Sequence, residues 1–149
     1  MKQFFKMCNI YRRPEGYFLF GVLNTPYGGI AMPPALQVAL TASPDDLGKA
    51  VRKIFSELPD TVVEIDLAAT GKSYREYLKE IGFPTYNAFA KKALLVAVSF
   101  DGEQHKVELH ERDKRGAFLT VKTVKLASDV NDETLGNAIL EAFNELAAD

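Results

Sequence analysis

Leu47-Gly48-Lys49-Ala50-Val51-Arg52-Lys53-Ile54-Phe55-Ser56-Glu57-Leu58 is answered late in the chain by Leu135-Gly136-Asn137-Ala138-Ile139-Leu140-Glu141-Ala142-Phe143-Asn144-Glu145-Leu146. Leu, Gly, Ala, Phe, Glu and Leu recur at a constant offset, with Val51 exchanged for Ile139. Both copies follow an alternating, strand-like run, Gln37–Thr41 and Thr123–Ala127. Two copies so far apart are too few for a solenoid, which stacks about three units or more. The repeat predicts instead a single α+β domain of two related halves, each of antiparallel strands ending in a helix packed on the sheet. The halves span about residues 1–58 and 93–149, with a connector at about 59–92.

Within each copy Leu47, Val51, Phe55 and Leu58, or Leu135, Ile139, Phe143 and Leu146, fall on one helical face. Gly48 and Gly136 lie on that same face. A glycine inside a helix costs ~1 kcal/mol relative to alanine. Its presence at the same place twice predicts a packing need, close approach of the helix backbone to a sheet. The first helix opens at Ser43-Pro44-Asp45-Asp46, with serine as cap, proline at the first position and carboxylates at the positive end of the dipole. Asn131 caps the second copy in the same way.

Outward from the repeats, Gln3–Tyr11 and Tyr17–Leu23 read as strands around the turn Arg13-Pro14-Glu15-Gly16. Asn24 to Gly29 form a further turn, and Pro33-Pro34 interrupt the chain before a strand at Leu36–Leu40. In the connector, Val62 to Leu67 alternate apolar and acidic like a strand. Tyr74, Tyr77, Leu78 and Ile81 then mark a helix over Ser73–Ile81 that stops at Gly82. Pro84 to Lys92 predict one short helical turn. The second half supplies strands at Leu94–Phe100, Gln104–His110 and Phe118–Leu126, with Asp101-Gly102 as a two-residue hairpin turn. Hairpins in one sheet or two, with helices on one side, are the expected arrangement.

Hydrophobic residues make up 47% of the chain and charged residues 26%, the balance of a globular protein rather than a disordered or membrane one. No apolar run approaches the ~20 residues of a bilayer span, and the opening Met1–Lys6 has no secretory h-region. The one cysteine, Cys8, cannot close an internal disulfide, which fits a reducing compartment. A soluble, cytoplasmic protein is expected. The net charge of −2 disfavours a general nucleic-acid binder, whose work needs a basic surface.

Motifs for chemistry fail one by one. Thr70-Gly71-Lys72-Ser73 resembles the end of a phosphate loop, but Asp66 stands where the required earlier glycine should be, leaving a plain helix start. His105 and His110 point to opposite faces of one strand, cannot share a metal and read as solvated. Cys8 reads as a small buried hydrophobe. Glu64 and Asp66 would share a strand face roughly 7 Å apart, a spacing open to acid/base chemistry. The simpler reading is that Val63, Ile65 and Leu67 turn inward while the acids are solvated. The basic turn at Lys114 and Arg115 reads as a solvated hairpin tip. No catalytic set, metal site or cofactor site emerges.

Lys2-Gln3-Phe4-Phe5-Lys6-Met7, Gly16-Tyr17-Phe18-Leu19-Phe20, Ser43–Ala50 and Leu135–Phe143 together resemble the contact-dependent growth inhibition (CDI) immunity proteins of Gram-negative bacteria. The resemblance implies a small non-enzymatic cytoplasmic protein, monomeric when free. It would bind one-to-one the C-terminal toxin domain of a CDI exoprotein and block it. Such toxins are commonly nucleases, often ribonucleases, so an inhibitor would offer carboxylates to an electropositive site. Asp60, Glu64 and Asp66 are the candidate toxin-binding residues, and Glu141, Glu145 and Asp149 are equal to them on charge. The alternative is a nucleic-acid-binding α+β domain using Tyr17, Phe18 and Phe20 on an open sheet face.

Overall fold

Ser43, Asn131 and their acidic neighbours begin helices where their chemistry says they should. In the computed structural model, which describes residues 6–148 apart from the side chains of 32–35, Ser43 Oγ accepts from Asp46 N and Asn131 Oδ1 from Thr134 N. These caps open α1 (Pro44–Glu57) and α4 (Asp132–Ala147). Three strands precede α1, namely β1 (Lys6–Arg13), β2 (Gly16–Thr25) and β3 (Gly28–Val38). Three more precede α4: β4 (Leu94–Phe100), β5 (Gln104–Arg112) and β6 (Phe118–Ala127). Between them lie α2 (Leu67–Glu80) and α3 (Tyr86–Ala90). Gln3–Phe5 and Asp149 fall outside the described residues.

The described strands form one antiparallel sheet of six, in the order β3-β2-β1-β4-β5-β6. Side chains alternate across it, as a strand requires. Cys8, Ile10, Leu19, Val96, Val98, Val107 and Leu109 meet α1 and α4 on one face. Tyr11, Phe18, Phe20 and Leu95 meet Leu78 and Phe89 of α2 and α3 on the other. The class is α+β as expected, but helices cover both sides rather than one. The connector does this, because the stripe Tyr74, Tyr77, Leu78 and Ile81 packs onto the second core.

Several local expectations need correction. Pro33-Pro34 do not end a strand: β3 runs through them, with a register shift in which Phe20 pairs with Ala35 and Gly21 with Met32. An outermost strand tolerates prolines at a bulge because no further neighbour needs their missing N–H. Val62 to Leu67 is not a strand; Val63 N reaches across to Asn24 O at 2.9 Å. The second helix starts at Leu67, six residues early, because Asp66 caps it on Ala69 N. Its first turns escape a periodicity search since Leu78 is its only buried residue. The hairpin after β4 turns at Gly102-Glu103, one residue late, closed by Asp101 N to Gln104 O.

The two repeated glycines are buried, but what they approach is not the sheet. A Cβ on Gly48 would lie 2.9 Å from the Asp132 Cα and closer still to its carbonyl; one on Gly136 would lie 2.8 Å from the Pro44 Cα and closer to its carbonyl. Each glycine therefore receives the first residue of the other repeated helix. The helix-to-sheet approach is made by Gly21 of β2, where a Cβ would meet Leu58 at 2.9 Å and Ile54 at 3.2 Å.

Candidate functional site

Asp60, Glu64 and Asp66 all fall on the irregular connection between α1 and α2, and the structure gives each a different environment. Asp60 lies 3.0 Å from Lys6 Nζ. The same ammonium donates to the Phe55 and Leu58 carbonyls at the end of α1, where a cation suits the helix dipole. Glu64 is exposed and borders a cavity of 390 Å³ with Leu58, Pro59 and Ile65. Asp66 is committed to capping α2 at 3.1 Å. Without a strand, the shared face postulated for Glu64 and Asp66 does not exist. On α4, Glu141 is exposed and Glu145 pairs with Lys122 at 3.0 Å.

Asp60 also borders a larger cleft of 610 Å³, lined among others by Lys6, Arg52, Phe55, Phe100 and His105. Here sequence reasoning missed the polar centre of the fold. His105 is fully buried, and its ring lies 4.5 Å from that of Phe100. Its Nδ1 lies 3.1 Å from the Ala127 carbonyl and its Nε2 lies 2.9 Å from Arg52 Nη1. A guanidinium only donates, so Nε2 is the acceptor and Nδ1 carries the proton. Arg52 completes its fork on Asp132 at 3.1 Å and on the Val130 carbonyl. One side chain of α1 thus ties together β5, the loop after β6 and the start of α4. Arg52 in the first repeat replaces an apolar Leu140 in the second, and that departure from the repeat was the available signal.

The histidines were expected to be solvated, and neither is. Their opposite faces stand, since His110 keeps company with Glu108, 3.6 Å away, and Thr120. Burial holds both imidazoles below the ordinary histidine range. For His105 the hydrogen bond to Ala127 and the Asp101 charge oppose this, while the Arg52 guanidinium reinforces it. A base whose folded pKa is depressed leaves the unfolded chain with more protons below its free value of about 6.5. Stability is then full above that pH and falls as the pH drops through 6.5 toward the folded pKa. Urea midpoints measured from pH 7.5 to 5.0 should show this loss, with a shallower slope in His105→Gln even if that variant is weaker throughout. Parallel slopes in the two proteins would exclude His105 as its source.

Among the described residues no group of three His, Cys, Asp or Glu side chains is placed to hold a metal, and no helix is long and apolar enough to cross a membrane. Cys8 is buried, as expected, and burial pushes its thiol pKa up, away from nucleophilic use. The aromatics needed for an open nucleic-acid face are not open. Tyr17 packs against Phe143 with tilted rings in the first core, while Phe18 and Phe20 lie under α2 and α3.

The molecule is thus an α+β protein with a central antiparallel sheet covered on both faces. A sequence profile of the CDI immunity protein family (CdiI) matches residues 64–145, more than half of the chain, and the chain belongs to that family. Among solved structures of the same fold is a protein of unknown function from Neisseria meningitidis. It is 14% identical, with a TM-score of 0.82 and 97% of each chain covered. Another is from the CdiA-CT/CdiI toxin and immunity complex of Yersinia pseudotuberculosis. It is 15% identical, with a TM-score of 0.78, covering 95% of this chain and 97% of that one. At these identities the likeness is one of fold. No curated protein matches the chain.

Proposed function

We propose that this protein binds and neutralises the C-terminal toxin domain of a contact-dependent growth inhibition exoprotein, one-to-one, in the cytoplasm and without catalytic turnover. Family membership carries the reading. A toxin and immunity complex among the structures of the same fold supports it. The toxin is a nuclease, a ribonuclease first, and its electropositive site meets carboxylates of this chain. Asp60, Glu64 and Asp66 remain the proposed contacts, and Glu64 is the freest of them. The two βββα halves, with their reciprocal glycine contact, support the further proposal of one domain built by internal duplication.

Association with the purified toxin domain should be fast and salt-dependent, because opposite charges steer encounter over about a Debye length. Glu64→Gln/Asp66→Asn is a clean pair, since asparagine caps a helix about as well as aspartate. It should slow association severalfold at low salt and flatten the salt dependence, and Glu141→Gln/Glu145→Gln should not. Unchanged kinetics in both pairs would remove the acidic contact and leave immunity standing. A wild-type protein that neither binds nor neutralises any toxin domain encoded beside it would remove immunity itself.

A further inference from the structure

Between α2, α3 and the β1–β3 side of the sheet lies a cavity of 570 Å³ lined by Tyr11, Ile30, Leu67, Tyr74, Arg75 and Tyr86, among others. It lies outside the acidic connection and the Arg52–His105 cleft. Its wall is aromatic: the Tyr11 and Tyr86 hydroxyls are 2.9 Å apart, and the Tyr74 and Tyr86 rings are 6.3 Å apart. The second core is already sealed beneath it, with Phe20 and Phe89 fully buried. Packing therefore does not require the recess to stay open. Its rim nonetheless keeps Leu67 46% and Tyr86 37% exposed.

The helix that forms one wall points the same way. α2 fully buries only Leu78 of its 14 residues, while Tyr74 and Tyr77 pack on the second core from partly exposed positions. Gly71 leaves space on the cavity side that only the end of the Arg75 side chain approaches, at 3.2 Å from a would-be Cβ. Lys72 on the same helix faces Glu76 at 4.0 Å, whereas Arg75 has no ion pair among the described residues. Tyrosines that offer an apolar body and a hydroxyl, beside an uncommitted arginine, are the composition of an interface centre.

We propose that this cavity is a docking site for the toxin domain, receiving an apolar or aromatic side chain of the toxin with a neighbouring carboxylate on Arg75. The inference rests on the immunity reading above and adds the face and the chemistry of contact. The carboxylate supplies the counter-charge that Arg75 lacks among the described residues, and the apolar anchor fills the tyrosine-lined space. Occupation would cover Leu67 and Tyr86.

The test uses the full chain and the purified toxin domain. Arg75→Glu reverses the rim charge, and Gly71→Phe adds bulk at the recess, where a Cβ meets only the flexible end of Arg75. Each should weaken binding by about tenfold or more, the scale of an interface hot spot, with an unchanged far-ultraviolet spectrum. Lys114→Glu/Arg115→Glu, at the basic turn after β5, should stay within about twofold, as peripheral charges do. Hydrogen exchange on the unmodified complex gives a reading that needs no variant: amides at 67–75 and 84–90 should gain protection. Wild-type binding with both cavity variants unaffected, or with protection confined to the basic turn, would overturn this site and leave immunity intact. No wild-type binding at all would overturn both.

Discussion

Replacing Gly136 by alanine is expected to destabilise the protein by about 3 kcal/mol, against the helix propensity of the substitution. Alanine in a helix interior gains up to ~1 kcal/mol over glycine. Here the new methyl would occupy the backbone of Pro44, and Gly48→Ala would do the same to Asp132. Backbone cannot rotate away as a side chain can, so α1 and α4 would have to separate along their shared contact. Overpacking costs about 1–3 kcal/mol where neighbours yield and more where they do not. Gly71→Ala is the control of opposite sign: its neighbour is the mobile end of Arg75, and it should be neutral or stabilising by up to ~1 kcal/mol. Urea unfolding of the three variants decides the matter. A stabilised Gly136→Ala would mean that the helices do not cross at these glycines.

Phe143→Ala should cost about 3–5 kcal/mol, the usual penalty for emptying a large aromatic site. The ring is fully buried and lies 5.5 Å from that of Tyr17, so collapse of neighbours into the space is limited. Phe55 holds the matching place in the first repeat but is 7% exposed and borders the 610 Å³ cleft. Phe55→Ala should sit at the lower end of that range, near 3 kcal/mol, since the cleft relieves part of the void. A loss below about 1 kcal/mol at either site would place that ring on the surface.

The repeated string made the fold legible because its information is local. Caps, the Leu–Val–Phe stripe and the Leu–Ile–Phe stripe all act within one or two helical turns, where spacing alone determines which side chains meet. The same holds for the strands of the second half and for Gly82, which stops α2 with a positive φ. Less could be read in the connector. Asp66 looked like a solvated acid on a strand because a cap and an exposed carboxylate have the same composition, and only the helix behind it distinguishes them.

The candidate site was less legible than the fold. Asp60 is notable in the sequence only for its charge, and its partner Lys6 comes from β1, many residues earlier in the chain. His105 looked like a surface histidine because the residues that satisfy it, Arg52 and Ala127, belong to α1 and β6. The tyrosine cavity joins β1, β3, α2 and α3, and no spacing rule links residues so far apart.

By itself, then, the chain's order of residues determined where the two repeated helices and the strands of the second half begin, which face of each repeated helix is apolar, and the α+β class, since these depend on neighbours a few positions away. Tertiary structure alone decided three things. Prolines could stay in β3 because it is the outermost strand. The connector helices closed the second face of the sheet. Gly48 and Gly136 served each other rather than the sheet, because a missing side chain records that something comes close but not what arrives.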